Sequence, residues 1–258
     1  MSTTIYPSPI FGPFYSRRLG VSLGINLMPP DGKICTFDCI YCECGLNRER
    51  HPSLPRPARE EVKAELRRWL EKMKAEGPVP DVLTFAGNGE PTAHPDFPGI
   101  VDDVIALRNE MFPKAKVSVL SNATRIIDRK VFDALMKTDN NIQKLDTVDI
   151  GYIKRLDQPV GHYNLDEIIR TLKAFNGHVM IQTMFLTGSH NGIDMDNTLP
   201  EYVNPWLEIL KQIKPEKVMI YTIDRETPIG TLRKASPQKL DEIAETVRKS
   251  GLETSVSY

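Results

Sequence analysis

Apolar and polar residues follow one another along the chain in two different rhythms. In the first, apolar residues recur every three or four positions, which predicts helices at residues 58–75, 97–111, 129–136, 165–175, 201–213 and 237–250. In the second, short apolar runs without polar alternation predict strands at residues 21–27, 82–85, 116–120, 145–150, 179–185, 217–223 and 253–256. Such runs are typical of parallel strands covered on both faces. The pattern predicts six βα units and a trailing strand, arranged either as a doubly wound sheet or as a barrel.

Composition places these units in a single domain. The 258 residues are 40% hydrophobic and 26% charged, and no linker divides them. We therefore predict one α/β domain over residues 1–258, with a lead segment at 1–20 and a cysteine-bearing loop at 28–57. The net charge of −1 gives no overall attraction to nucleic acid or to an anionic membrane. Because no apolar run reaches the ~20 residues needed to cross a bilayer, and the first residues do not read as a secretory signal, we expect a cytoplasmic protein without a membrane partner.

The four cysteines are the chemical centre of the sequence. Cys35, Cys39 and Cys42 have the spacing CxxxCxxC, and Cys44 follows two residues later. Three thiolates can bind three irons of a [4Fe–4S] cluster and leave the fourth iron open to another ligand. Two alternatives remain: a tetrahedral zinc site in a binding module, and a four-cysteine cluster in an electron-transfer protein. Structural zinc sites usually pair two ligand couples across a long spacer, so the short spacing here favours iron and sulfur.

Polar residues collect where the predicted strands end. In parallel α/β folds, functional groups lie at the carboxyl ends of the strands. The residues at these ends include Ser121, Asn122, Asp149, Tyr152, Lys154, Gln182, Thr183, the segment 187–190, Tyr221, Thr222, Asp224 and Arg225. This arrangement is typical of a binding or catalytic site.

The turn after the second predicted strand reads Gly87-Asn88-Gly89-Glu90-Pro91. Its glycines allow the backbone to approach a ligand closely, and its carbonyl groups with the Glu90 carboxylate can accept hydrogen bonds from an ammonium group. The alternative is a plain turn between a strand and a helix.

Other strand-end residues also carry two interpretations. Tyr41 can stack on a flat ring or pack on the core. Ser121 and Asn122 can contact a cofactor or cap a helix. A buried Gln182 requires a polar partner, either a cofactor or a backbone group.

The candidate catalytic residues are Lys154, Tyr221 and Arg225. Two of these cations, Lys154 and Arg225, are together with Arg17 and Arg18 candidate anchors for an anionic substrate. The alternative for each cation is solvation or ion pairing at the surface.

The cysteine spacing, Tyr41 and the downstream glycine-rich turn resemble the signature of the radical S-adenosylmethionine (radical SAM) superfamily. The resemblance implies that Cys35, Cys39 and Cys42 hold a [4Fe–4S] cluster and that SAM chelates the open iron. It further implies an oxidoreductase in which an electron from a donor such as a flavodoxin or ferredoxin cleaves SAM, and the 5′-deoxyadenosyl radical abstracts hydrogen from a substrate. The implied cofactor-binding residues are Tyr41, Gly87, Asn88, Gly89, Glu90, Pro91, Ser121, Asn122, Asp149 and Gln182.

A second resemblance indicates one branch of the radical SAM superfamily. Segments 12–26, 39–45, 89–92, 182–185 and 221–225 look like their counterparts in relatives of the wyosine-forming tRNA enzymes. This likeness implies a partial (β/α)6 TIM-like barrel of the radical SAM type, with 28–57 as the cluster-binding loop. The archaeal wyosine-type synthases carry a second cluster on cysteines before the motif, whereas this chain has no cysteine before Cys35. We therefore predict a single-cluster relative with an open substrate, for which RNA or a nucleoside competes with a peptide or small metabolite.

Overall fold

The computed structural model describes residues 3–16 and 20–258. Its strands are β1 (Ile10–Ser16), β2 (Gly20–Ile25), β3 (Val82–Phe85), β4 (Lys116–Ser121), β5 (Asn140–Lys144), β6 (Met180–Met184), β7 (Leu186–His190), β8 (Ile193–Asp194), β9 (Lys217–Tyr221), β10 (Leu232–Lys234) and β11 (Thr254–Ser257). Its α-helices are α1 (Arg59–Glu76), α2 (Phe97–Met111), α3 (Arg129–Leu135), α4 (Ile150–Leu156), α5 (Leu165–Ala174), α6 (Pro200–Ile213) and α7 (Pro237–Lys249). Arg17 and Arg18, two of the predicted anchors, lie outside the described residues.

One large sheet organises the molecule. Its strand order is β1-β2-β3-β4-β5-β6-β9-β11, parallel throughout except for β1, which runs antiparallel to β2. Helices cross over between successive parallel strands, so the predicted six βα units and trailing strand are confirmed. The inner faces of the strands surround a cavity of about 640 Å³, which we call the lumen. The sheet is thus a partial (β/α)6 barrel, with β1 and β11 at its edges.

The two faces of this sheet differ in chemistry. Alternate residues such as Leu83, Phe85 and Val119 are fully buried in the apolar core that also contains helix residues. The inner face is mixed. The Ser22 and Thr84 hydroxyls lie 2.8 Å apart and hydrogen-bond across two strands, whereas other strands contribute apolar residues to the lumen wall, namely Leu120, Ile142 and Met219.

The prediction of a strand at 145–150 is wrong. The fourth parallel strand is β5, a polar segment whose two buried asparagine side chains hydrogen-bond to neighbouring segments. Asn140 Nδ2 donates to Ser118 Oγ at 2.7 Å, and Asn141 Nδ2 donates to the His178 carbonyl at 2.9 Å. Hydrophobic pattern alone cannot detect a buried strand of this composition.

Three further features were not predicted, namely helix α4, the edge strand β1 and a second small sheet. The edge strand β1 contains Gly12 and Pro13 at an irregularity in its pairing with β2, and proline is tolerated at a sheet edge. A second sheet of order β10-β7-β8 stands beside the barrel. Residues 187–190, predicted at a strand end, form most of β7. No helix in the described parts of the chain is long and apolar enough to cross a membrane.

Candidate functional site

The cysteine loop follows β2 and is fastened to the ends of neighbouring elements. Ile34 N donates to the Asn88 carbonyl at 3.0 Å, and Asp38 N donates to the Asp157 carbonyl at 2.9 Å. Within this loop Cys35, Cys39 and Cys42 lie near enough for their charges to interact. The three predicted ligands therefore lie in one loop, and their joint binding of a cluster stays a prediction.

The thiols stand in a buried setting beside a lysine. Burial raises the pKa of Cys35 to about 12 and also raises the pKa of Cys39. Lys33 is buried as well, and its Nζ donates to the Gly45 carbonyl at 2.7 Å. Burial acts to lower the pKa of Lys33, but the nearby charges of Cys42, Cys35 and Cys39 outweigh it and raise this pKa to about 12. A fixed positive charge of this kind stabilises the thiolates that bind metal.

Cys44 occupies a different position from the other three. Its thiol hydrogen-bonds to Cys42, which lowers the pKa of Cys42 and raises that of Cys44. Cys44 Sγ also lies 3.5 Å from the Gly87 carbonyl. Among the described residues, no group of three or more Cys, His, Asp or Glu side chains is arranged so that it could hold a metal ion.

The glycine-rich turn packs against the cysteine loop. Gly89 has φ +136°, and a Cβ there would come within 1.9 Å of the Ile34 carbonyl oxygen. Asn88 is fully buried and bonds to the N-terminal segment, accepting from Tyr6 N at 2.7 Å and donating to the Tyr6 carbonyl at 2.8 Å. The glycines were expected to let the backbone of the turn approach a cofactor closely. In the structure, the close approach at Gly89 is to the backbone of the cysteine loop.

Glu90 joins this turn to the end of β4. Its Oε1 accepts the Thr92 N–H at 3.0 Å, and its Oε2 accepts the Asn122 N–H at 2.6 Å. Burial raises the pKa of this carboxyl. Pro91 begins the short 3₁₀ turn that follows. These contacts give Glu90 a positioning role within the site.

Asn122 continues the connection to a cysteine. Its Nδ2 donates to Cys35 Sγ at 3.5 Å and to Thr36 Oγ1 at 2.8 Å. The neighbouring Ser121 Oγ accepts the Ala123 N–H at 3.1 Å. Asn122 therefore contacts the cysteine loop, whereas Ser121 caps the turn after β4, and contact of either residue with a cofactor stays a prediction.

A cavity of about 360 Å³ opens beside Cys42. Besides Cys42, its wall contains two predicted cofactor-binding residues, Tyr41 and Gln182, and two candidate catalytic residues, Tyr221 and Arg225. The strand-end residues Thr222 and Asp224 line it as well. Tyr221 and Arg225 also line the lumen, so the two cavities meet at the end of β9. The predicted groups from the cysteine loop and from distant strands thus face one space.

Arg225 is engaged at this junction. Its Nη1 donates to Glu43 Oε2 at 2.8 Å and to the Tyr6 hydroxyl, and that hydroxyl in turn donates to Glu43 Oε1 at 3.0 Å. Glu43 and Arg225 both line the cavity wall. Arg225 therefore ties the N-terminal segment and the cysteine loop together, and its predicted role as a substrate anchor would require exchange of partners.

Several predicted residues do not line this cavity: the glycine-rich turn with Ser121 and Asn122, which contacts the cysteine loop instead, and the more distant Asp149 and Lys154. Asp149 is exposed, and its Oδ1 accepts the Tyr152 N–H at 2.6 Å as the N-cap of α4. Lys154 is exposed on the same helix. Neither residue lines the cavity beside Cys42, and the strand-end argument that selected them fails because the strand at 145–150 does not exist.

Sequence reasoning missed the buried charged residues around the cysteines. They are Lys33, Lys144, Asp146 and Asp157. Lys144 and Asp146 flank the end of β5, which has no apolar run to mark it. For Lys33, the one available signal was its position two residues before the first cysteine.

Comparison with known families settles the class. A model of the Radical SAM superfamily matches residues 30–199, which include the cysteine loop and the glycine-rich turn. The chain belongs to the radical SAM superfamily. Membership implies an enzyme that uses SAM and a [4Fe–4S] cluster, as the motif predicted. Three cysteines in one loop, of which Cys39 is buried, with the Lys33 ammonium group near them, are a suitable donor set for such a cluster.

Several curated relatives match this radical SAM chain. It is 30% identical over 228 residues to a UPF0026 protein of Helicobacter pylori, covering 85% of this chain and 67% of the relative. It is 30% identical over 239 residues to a UPF0026 protein of Synechocystis sp., covering 89% and 80%. A Brachyspira hyodysenteriae protein named GTPase Obg is 28% identical over 223 residues, and the chain spans 30% of its length.

Solved structures share the radical SAM fold. A radical SAM methyltransferase from Sphaerobacter thermophilus superposes with a TM-score of 0.67 at 14% identity, covering 92% of this chain and 66% of the other. Archaeal TYW1 superposes with a TM-score of 0.55 at 12% identity, covering 89% and 72%. At these identities the comparison establishes the partial barrel.

Proposed function

We propose that Cys35, Cys39 and Cys42 hold the cluster, that the cavity beside Cys42 receives SAM, and that the lumen receives the substrate. When bound, the cluster and SAM supply a one-electron cleavage that yields a 5′-deoxyadenosyl radical able to abstract hydrogen. The observation that carries this proposal is that the cavity lined by Cys42 and Tyr41 adjoins the lumen at Tyr221. A group released in one cavity can therefore reach a molecule held in the other.

The chain's own residues would bind, orient and shield the reactants. Tyr41 and Gln182, which both line the cavity, would present a ring and an amide to SAM. Glu90 would act through the loop, since its carboxylate already accepts hydrogen bonds from backbone groups. The junction of Arg225, Glu43 and Tyr6 would limit the entry of water to the space between the two cavities.

For the substrate we propose a nucleoside within RNA. The lumen wall carries aromatic side chains toward β1, among them Tyr6, Phe11 and Phe14, and hydroxyl groups of Ser22 and Thr84. Aromatic faces bind unstacked bases, and hydroxyl groups can pair with ribose or base edges. A peptide or small metabolite is the alternative, and a flavodoxin or ferredoxin is the proposed electron donor.

The test is anaerobic reconstitution with iron and sulfide, followed by reduction in the presence of SAM and assay of 5′-deoxyadenosine. We expect product from the wild-type protein and from Cys44→Ser, and none from serine variants of Cys35, Cys39 or Cys42. Addition of tRNA should increase turnover if the substrate is RNA. A cluster that requires Cys44 and ignores SAM would contradict the proposal and favour electron transfer.

A further inference from the structure

A buried charged cluster lies directly beneath the cysteine loop, at the end of β5. Its centre is Lys144, whose Nζ lies 2.6 Å from Asp146 Oδ2 and also pairs with Asp157 Oδ1. The side chains of Asp146 and Asp157 are at most 3% exposed, and that of Lys144 is 13% exposed. We call these three residues the Lys144 cluster.

The Lys144 cluster is enclosed by aromatic rings. Lys144 Nζ lies 5.1 Å from the centre of the Phe37 ring and 5.4 Å from the centre of the Tyr41 ring. Both rings belong to the cysteine loop, so the loop covers the ammonium group and holds it by cation–π attraction. Asp146 is anchored from below, where its Oδ1 accepts the Met184 N–H at 2.8 Å.

Stability does not account for such a cluster. Removing charges from water costs several kcal/mol per ion, and a well-packed apolar replacement of a buried ion pair is often neutral or stabilising. The barrel wall around it already has an extensive apolar core. A role in the adjoining site would explain why these charges are buried at this position.

Both carboxylates of the cluster touch the site. The Tyr41 hydroxyl donates to Asp146 Oδ2 at 2.5 Å, and the Cys39 thiol lies 3.5 Å from Asp157 Oδ1. Tyr41 lines the cavity beside Cys42. A continuous series of contacts therefore runs from the cavity wall, through Lys144, to a cysteine.

We propose that Asp146 and Lys144 are positioning residues that hold Tyr41 in the cavity wall and so set the affinity for SAM. The inference rests on the proposed function, because it takes this cavity as the SAM site. Without the hydrogen bond from its hydroxyl to Asp146, the Tyr41 ring keeps its apolar contacts but loses its fixed orientation. A ligand that packs against the ring would then have to order it at the expense of binding free energy.

A double-mutant cycle between Tyr41→Phe and Asp146→Asn tests the link. Asn keeps the volume and can still accept the Met184 N–H, while it removes the charge that holds the Tyr41 hydroxyl. We expect each single variant to weaken SAM binding about tenfold, as loss of one hydrogen bond to a charged group implies, and the double variant to lose no more than either one. The dissociation constant is measured by calorimetry on the reconstituted protein, with the SAM-induced change in the electron paramagnetic resonance spectrum as a second readout.

A matched control stands on the outer helices. Asp103 on α2 is a buried acid that pairs with Arg59 at 2.6 Å and Lys63 at 3.0 Å on the neighbouring helix. Asp103→Asn therefore breaks a comparable charge cluster away from the cysteines and should leave SAM affinity unchanged. Lys144→Met removes the central charge of the Lys144 cluster and should also weaken SAM binding. If it fails to fold, the Tyr41 and Asp146 cycle still decides.

Two outcomes overturn the inference and leave the proposed function standing. Additive losses in the double variant would show that Asp146 does not act through Tyr41, and unchanged affinity in all variants would remove the role altogether. A wild-type protein that carries its cluster and does not bind SAM would instead overturn the proposed function, and the inference with it. Iron content and thermal melting of each variant separate these results from a general loss of structure.

Discussion

The barrel wall and the cysteine loop are held together by different forces. The wall is an apolar core in which Phe85 packs edge-to-face against Phe97, with ring centres 5.8 Å apart. The loop depends on directed polar contacts, such as the 2.7 Å bond from Asn47 N to Asp38 Oδ1. Apolar packing tolerates many sequences, whereas each polar contact needs one partner in one place. We therefore expect that substitutions in the wall lower mainly the stability of the fold, and that substitutions in the loop lower mainly the activity.

The largest expected effect comes from Cys35→Ser. The substitution removes one proposed iron ligand from the loop and leaves the wall intact. We expect 5′-deoxyadenosine formation to fall below detection, while the melting temperature of the cluster-free protein stays close to that of the wild type. Product analysis and thermal melting of the same preparation check both halves. An active variant with an intact cluster would contradict the assignment of Cys35.

Phe85→Ala disturbs the apolar core of the barrel wall and leaves the cysteine loop unchanged in sequence. The side chain is fully buried, and truncating such a residue costs about 3–5 kcal/mol of the free energy of unfolding. Denaturant titration measures this loss, and Phe14→Ala is the control because Phe14 is 52% exposed. Equal losses in the two variants would refute the view that the wall depends on its apolar core.

Glu90→Gln acts where the loop meets the wall. The new amide nitrogen must face the N–H of either Thr92 or Asn122, so one buried hydrogen bond is lost. We expect a loss of about 1–3 kcal/mol in unfolding free energy together with lower iron incorporation. Glu76→Gln at an exposed helix end is the control. A loss of stability with normal iron content would show that Glu90 stabilises the barrel wall and does not position the cysteine loop.

Asp103→Asn probes the outer layer of helices through pH. The hydrogen bond from Arg59, with that from Lys63, holds the pKa of Asp103 below its usual value. A lowered pKa contributes stability that is present above the ordinary carboxyl pKa and is lost as the pH falls through the folded-state pKa. The wild type should therefore be slightly more stable than the variant at neutral pH, and the difference should vanish in acid. Thermal melts across this range measure it, and a difference that grows in acid would reverse the argument.

Cys44→Ser should have the smallest effect. Its thiol hydrogen-bonds to Cys42 and lies against the Gly87 carbonyl, and a serine hydroxyl can make both contacts. We expect the cluster and its spectral response to SAM to be retained. Loss of the cluster in this variant would show instead that Cys44 is a ligand.

The barrel wall was largely predictable from the sequence, because it depends on periodicity. Helix and strand patterns located the other parallel strands and the crossover helices, and the cysteine spacing located the loop. The method failed at β5, where the buried Asn140 and Asn141 amides donate to Ser118 and to the His178 carbonyl. It also selected Asp149 and Lys154 by counting from a strand that is absent.

The loop was predictable in its chemistry but not in its contacts. No local pattern connects Lys144 with Tyr41, or Arg225 with Glu43, since these partners are far apart along the chain. The same holds for Gly89, whose neighbour is the Ile34 carbonyl and not a ligand. Such pairings arise from the closed arrangement of strands and become visible only when the barrel is assembled.

The fastening of the cysteine loop has a consequence for biosynthesis. Its backbone bonds to Thr4 at one end of the chain and to Leu156 and Val160 well downstream. During translation the cysteines leave the ribosome long before those later partners exist. We therefore expect the thiols to remain open to solvent and oxidants until about two thirds of the polypeptide has emerged, so that iron and sulfide are best delivered after translation.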